Sequence, residues 1–419
     1  MADKKLRETP GVLPNGVSIN RNDFAEMEGN AGVVPALPGI GAKSYEIRLE
    51  HLHKRFTDFV AVHDSTLTIE GGEFLVLLGP SGCGKTTTLR MIAGLELPTS
   101  GQILLGGEDV TFRRARERDI AFVFQLFALY PHMTVRQNIS FPLLNERVSK
   151  QETQRRVDEI ARMLQIEHLL ARKVTGLSGG DRQRVALGRA IVRKPKAFLM
   201  DEPLGTLDAE FRERMCLELR QLHDRLGATT VYVTHDQSEA MAMADRIVVM
   251  DQGRILQADT PDRLYDCPNC VFVGRFIGAP PMSFLTGGAA VRPGDQHLLV
   301  DDVPVAVPEQ YAGCEGALLG LRPERVSLSS GGGLRGEVMS AEYLGSHQIV
   351  TVQTRAGIAR ARVDKGLPVR LGESVGLTFE SDSLILYDAQ TEQRLPSAYT
   401  RAFEEQAGAA APRREVTYG

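Results

Sequence analysis

Phe74-Leu75-Val76-Leu77-Leu78 runs directly into Gly79-Pro80-Ser81-Gly82-Cys83-Gly84-Lys85-Thr86. A short apolar run stopped by glycine reads as a buried β-strand meeting a turn. The second stretch fills every position of G-x-x-x-x-G-K-[ST], the pattern of a phosphate-cradling loop. Its glycines let successive backbone N–H groups converge on phosphate oxygens, where a Cβ would block the approach. Lys85 supplies positive charge for the β- and γ-phosphates, and the Thr86 hydroxyl suits a Mg²⁺ ligand. Lys85 to Leu95 has helical character, so its N-terminus adds a favourable dipole for an anion. Gly79, Pro80, Ser81, Gly82, Cys83, Gly84, Lys85, Thr86 and Thr87 therefore form the expected site for a nucleoside triphosphate.

Two downstream segments narrow the chemistry. Leu177-Ser178-Gly179-Gly180-Asp181 precedes Arg182-Gln183-Arg184, and Ala197-Phe198-Leu199-Met200 ends in Asp201-Glu202. An apolar strand closing on two carboxylates has the form of a Walker B strand. Asp201 would hold the Mg²⁺ shell, and Glu202 would orient and polarise the attacking water. An acidic pair can also cap a following helix. The phosphate loop upstream and Leu-Ser-Gly-Gly in front favour the catalytic reading.

Residues from about 46 to 280 resemble the nucleotide-binding domain of an ABC transporter. The resemblance rests on the Gly79–Thr86 loop, Leu177–Gly180, Asp201-Glu202-Pro203-Leu204 and Tyr232-Val233-Thr234-His235-Asp236, which stand in the family's order. It implies a P-loop α/β ATPase domain with a helical subdomain, taking ATP and Mg²⁺. It implies that Phe56, 29 residues (85 − 56) before Lys85, packs on adenine. Gln125, after Phe122-Val123-Phe124, would reach toward Mg²⁺ and the water. His235 would contact the γ-phosphate and hold Glu202 and the water in place. Ser178, Gly179, Gly180, Asp181 and Asp208 would serve nucleotide binding, the Ser178 segment facing the ATP of a second subunit. Two positions depart from the family pattern. Asp181 stands where Gln is usual, and Gly205-Thr206-Leu207-Asp208 replaces Ser-Asn-Leu-Asp. Asp181 can accept a hydrogen bond from a ribose hydroxyl but brings negative charge near a polyphosphate. That drift suits pairing with a paralogue as well as with itself.

Composition agrees with such a protein. At 419 residues the chain exceeds one ordinary core, so two domains and a tail are expected. A net charge of −4 and a pI near 6.2 carry no polyelectrolyte signature for nucleic acid. No apolar run approaches the roughly 18 residues of a membrane span, and Met1–Arg7 is not followed by a signal-peptide core. The expected place is the cytoplasm, peripheral on the inner face of the membrane. Five cysteines fit a reducing compartment. Alkylation of Cys83, inside the loop, would obstruct nucleotide entry. Cys267-Pro268-Asn269-Cys270 lacks a second pair or nearby histidine and is read as incidental.

The chain divides into blocks. Residues 1–45 mix Pro, Gly, Asn and charge without period, as a flexible extension does. Residues 126–195 read as mostly helical, and Gln154 to Leu170 lines up Val157, Ile160, Ala161 and Leu164. Residues 196–255 alternate strand and helix, with Phe198 to Met200, Ala209 to Leu226 and Thr230 to Val233, which implies a parallel sheet covered on both faces. From 281 to 390 short β-prone runs suggest a small all-β barrel or sandwich. Leu319-Gly320-Leu321-Arg322-Pro323-Glu324 and Glu342-Tyr343-Leu344-Gly345 resemble the OB-like regulatory domain of sugar-importer ATPases. Residues 391–419 read as a polar tail.

The resemblance implies that the chain is the ATP-hydrolysing subunit of an ABC importer. Its expected partners are membrane permease subunits, a second ATPase subunit and, indirectly, an external solute-binding protein. A carbohydrate, polyol or glycerol phosphate is the expected cargo, with polyamine, iron or oxyanion importers as the alternative. Soluble ABC proteins of DNA repair or translation carry long coiled-coil insertions or two cassettes, neither of which is in this chain. A scaffold without hydrolysis is disfavoured by intact Lys85, Asp201, Glu202 and His235.

Overall fold

A computed structural model of the chain describes residues 44–125, 127–205, 207–288 and 290–409. The expected flexible extension, save residues 44 and 45, and positions 410–419 of the expected tail lie outside the described residues. The rest falls into two compact units that divide between Pro261 and Asp262.

In the first unit, β3 (Phe74–Leu78) is buried along its whole length. It lies between β8 (Thr229–Thr234) and β9 (Arg246–Asp251) in a six-stranded sheet. Beyond β8 come β7 (Ala197–Asp201) and β6 (Ile120–Val123), all in parallel, while β10 (Arg254–Asp259) closes the other edge as an antiparallel hairpin. Every residue of β3 and β8 is buried, which requires cover on both faces. A separate four-stranded antiparallel sheet holds β1 (Ile47–Arg55), β2 (Val60–Ile69), β4 (Ser100–Leu105) and β5 (Glu108–Asp109). Ile47, Leu49 and Ile103 from this sheet share one core with Leu75, Leu77 and Val231 of the other.

The helices include α1 (Lys85–Ile92), α2 (Val135–Asn145), α3 (Lys150–Met163) and α4 (Gly179–Ile191). Two more follow, α5 (Ala209–Leu226) and α6 (Gln237–Met243). The expected stripe on α3 is buried at Val157, Ile160 and Ala161. The helix nevertheless stops at Met163, short of the expected Leu170, because Gln165 takes a left-handed φ of +57° and turns the chain. Leu164 still serves the core: its side chain, Ile139 and Ile160 converge on Gly188 of α4.

The second unit contains α7 (Pro261–Asp266, from Asp262 on), α8 (Val271–Phe276) and α9 (Ala398–Ala409) beside its strands. Its antiparallel sheets have five, three and two strands. Leu319, Leu334, Val350, Ala361 and Leu377 share their core. The unit therefore starts earlier than residue 281, because Val271 packs with Met282, Ile385 and Tyr387. It also extends past 390. The described part of the expected polar tail contains α9, entered through Ser397 and Thr400, both about 1% exposed and bonded to each other.

Burial gives the first unit an acid sensitivity. His223 on α5 is 6% exposed, with Nδ1 3.0 Å from Thr230 Oγ1 and its ring edge-on to Phe74. Burial, reinforced by Arg220, lowers its pKa to about 4. The folded state therefore binds fewer protons than the unfolded one between about pH 6.5 and 4. Stability contributed by neutral His223 is complete above pH 6.5 and is lost as pH falls, by up to about 3 kcal/mol at pH 4. Urea unfolding at pH 7 and pH 5 should show this slope in the parent and a reduced slope in His223→Gln.

Candidate active site

Parallel strands present their carboxyl ends on one edge of a sheet, where ligands of open α/β folds bind. Four such ends carry the residues singled out in the sequence. β3 leads into Gly79, β6 into Phe124-Gln125, β7 ends at Asp201 before Glu202, and β8 ends at Thr234 before His235. Register brings them level, with Leu78 opposite Thr234 and Asp201 opposite Val233.

The loop after β3 is closed by its own geometry. Gly84 sits at φ +103°, and a Cβ there would stand 2.4 Å from the Ala61 carbonyl oxygen of β2. No other residue type fits without moving β2. Gly84 is also the N-cap of α1 and offers no side-chain acceptor to its first N–H groups. By contrast α2 to α6 are each capped by a side chain, from Thr134, Ser149, Ser178, Asp208 and Asp236. Uncapped N–H groups with no acidic residue in the first turn match a polyphosphate. Lys85 is 4% exposed, and its ammonium donates to the carbonyls of Gly79 and Pro80, each at 2.8 Å. Ser81, Gly82 and Thr86 are exposed, while Thr87 and Pro80 are half-buried. Cys83 corrects an expectation. It is 3% exposed within the core, and burial raises its thiol pKa, so alkylation there should be slow and its part in the loop is backbone.

Two contacts join the strand ends. The Thr86 hydroxyl donates to Asp201 Oδ1 at 2.9 Å. Burial pushes the Asp201 carboxyl upward and neighbouring Glu202 adds to this, against the Thr86 hydrogen bond and the Arg90 and Lys85 charges. A hydroxyl and a carboxylate side by side are hard oxygen donors of the kind Mg²⁺ takes when phosphates and water fill its remaining positions. Glu202 is gripped from both sides. Gln125 Nε2 donates to its Oε2 at 3.3 Å, and His235 Nδ1 lies 3.3 Å from its Oε1. Its backbone is left-handed at φ +44°, which costs a non-glycine residue about 1 kcal/mol or more.

Other expected site residues stand elsewhere. Phe56 lies between β1 and β2, half-buried, with the Phe59 ring 5.3 Å away and the Lys54 ammonium 4.7 Å from its centroid. The exposed ring of Phe59 escaped the sequence reading. Ser178, Gly179, Gly180 and Asp181 lie at the start of α4, against the segment from Leu207 to Phe211. A Cβ on Gly180 would stand 2.0 Å from the Phe211 ring, so a larger residue there would have to displace that ring. The Ser178 hydroxyl donates to Asp181 Oδ2 at 2.8 Å and accepts the Asp181 N–H at 3.2 Å. Asp208 Oδ1 accepts the Phe211 N–H at 3.0 Å and caps α5. Among the described residues no hydrogen bond or ion pair links these groups to the phosphate loop. Sequence reasoning also missed Arg212 and Glu239. An acidic residue beside Ala240 and Met243 on the buried side of α6 was the available signal.

A family model described as ABC transporter matches residues 62–205, and one described as TOBE domain matches residues 319–386. The trehalose/maltose import ATP-binding protein MalK of Thermococcus litoralis is 46% identical over 365 residues, spanning 82% of this chain and 98% of that protein. The chain belongs to the ABC transporter ATP-binding proteins. A second relative in this family is the trehalose import ATP-binding protein SugC of Mycobacterium tuberculosis. It is 44% identical over 386 residues, or 84% of this chain and 98% of that one. The solved cbiO1 of Clostridium perfringens, part of the ABC transporter complex cbiONQ, matches with a TM-score of 0.50 and 29% identity. That match covers 53% of this chain and 90% of cbiO1. As a member of this family the chain is an ABC-type ATPase with a β-rich TOBE domain behind the cassette. No helix among its described residues is long and apolar enough to cross a membrane.

Proposed function

We propose that this ABC ATPase energises an importer for a carbohydrate, polyol or glycerol phosphate, docked on membrane permease subunits at the inner face of the cell membrane. One observation carries the cargo class: likeness to sugar-import ATP-binding proteins over 98% of their length, through the TOBE domain as well as the cassette. A second ATPase subunit, itself or a paralogue, completes the pair, and an external solute-binding protein takes part through the permease.

In this reading Lys85 and the loop N–H groups bind the β- and γ-phosphates, and Phe56 packs on adenine. Thr86 and Asp201 hold Mg²⁺ with Gln125 beside them; the ion, when bound, offsets charge on the β- and γ-oxygens. Glu202 is the general base. Its two oxygens are fixed by Gln125 and His235, so the water proton is delivered to a preset position. Ser178, Gly179, Gly180, Asp181 and Asp208 close over the nucleotide of the partner subunit. The segment from Gln125 to Met133 passes the motion to the permease.

Uptake of radiolabelled trehalose and maltose tests the proposal in cells lacking this chain. The parent gene should restore uptake and Glu202→Gln should not, while polyamine, ferric iron and sulfate uptake stay unchanged. Equal uptake with and without the chain, for these sugars and for a panel of other sugars, polyols and glycerol phosphate, would overturn the cargo class.

A further inference from the structure

The His235 side chain has little packing of its own, being 58% exposed. Its place is set by its neighbours in the chain. Thr234 donates its hydroxyl to Glu239 Oε2 at 2.8 Å, and Tyr232 donates to the same oxygen at 2.7 Å. The Asp236 N–H donates to Thr234 Oγ1 at 3.0 Å, and Asp236 Oδ1 caps α6 through the N–H groups of Ser238 and Glu239. Both carboxylates meet one cation. Arg212 Nη1 donates to Asp236 Oδ2 at 3.0 Å, and Arg212 Nε lies 3.6 Å from Glu239 Oε1. The remaining arm reaches the other side of the site, where Nη2 donates to the Leu207 carbonyl at 3.0 Å. Leu207 ends the turn that begins at Leu204, and that turn overlaps the one from Glu202 to Gly205.

We propose that Arg212 is a positioning residue for ATP hydrolysis, coupling the Glu202–Asp208 loop to the turn that carries His235. The proposal rests on Glu202 and His235 acting as described above. Arg212 acts through Asp236 and Glu239. Glu239 is 3% exposed, so without the guanidinium its carboxylate and that of half-buried Asp236 lack their counter-charge. The turn then relaxes, and His235 loses its hold on Glu202. A planar fork is needed because the three targets lie in different directions. Lysine offers one point charge and cannot span from the Leu207 carbonyl to Asp236.

The test is a double-mutant cycle on the full chain, read by single-turnover hydrolysis and by affinity for a fluorescent ATP analogue. Arg212→Gln should slow hydrolysis about 10- to 100-fold with affinity changed less than about 3-fold, a loss confined to the chemical step. Arg212→Lys should recover part of the rate. In a His235→Ala background, Arg212→Gln should cost less than about 2-fold more, because both changes remove one effect. Full multiplication of the two losses, or a parent-like rate in Arg212→Gln, overturns the inference. If Arg212→Gln does not fold, the same cycle with Arg212→Lys decides: a smaller loss of rate that disappears in the His235→Ala background upholds the inference, and full multiplication of the two losses overturns it. A parent-like rate in His235→Ala alone would instead reject the underlying reading of the site.

Discussion

Lys85→Ala is expected to abolish ATP binding at micromolar nucleotide and to reduce hydrolysis to background. The ammonium is a cation held at the mouth of the loop by two backbone carbonyls at 2.8 Å. A hydrogen bond to a charged group contributes about 1.5–3 kcal/mol, so losing even one to phosphate costs about 10- to 150-fold in affinity. The rate falls further, because charge on the transferring phosphoryl group loses a stabilising partner. Calorimetric titration with ATP–Mg²⁺ and a phosphate-release assay read the two effects separately. Unchanged steady-state hydrolysis would show that this loop is not the catalytic one.

Glu202→Gln should separate binding from chemistry. Glutamine keeps the size and can still meet Gln125 and His235, but it cannot take a proton from water. Losing a positioned general base costs about 10²–10⁴ in rate. Affinity for ATP–Mg²⁺ should persist, because it rests on Lys85, Thr86, Asp201 and the loop N–H groups. The variant should accumulate with intact ATP bound, as a pair with itself or with a paralogue. Size-exclusion chromatography with ATP–Mg²⁺ checks that assembly, and a rate within a few-fold of the parent would remove Glu202 from the role of base.

What could be read from the sequence was local. β3 and α5 fall on the expected residues because an uninterrupted apolar run and a long capped helix carry their own boundaries. The pairing of β1, β2, β4 and β5 into one antiparallel sheet was not legible. Register shifts in the β1–β2 pairing break the alternation that would have announced it. α3 was overextended because the apolar stripe continues through Leu164 while the backbone turns at Gln165. In the second unit α9 was read as tail, since an alanine-rich polar stretch looks the same whether or not it docks.

The candidate site divides along the same line. Lys85, Thr86, Asp201 and Glu202 were legible because each sits in a contiguous motif. That Gln125 and His235 reach the two oxygens of Glu202 depends on strand order, which no spacing reveals. The left-handed backbone of Glu202 has no sequence signal, because non-glycine residues adopt it under tertiary constraint. The contacts of Arg212 are likewise set through space.

The most direct measurement mixes excess protein with ATP–Mg²⁺ and follows bound ATP and released phosphate through one turnover, for parent and Glu202→Gln together. The account predicts phosphate release by the parent, and in the variant bound, unhydrolysed ATP over the same period. Release at the same rate by both proteins would contradict it.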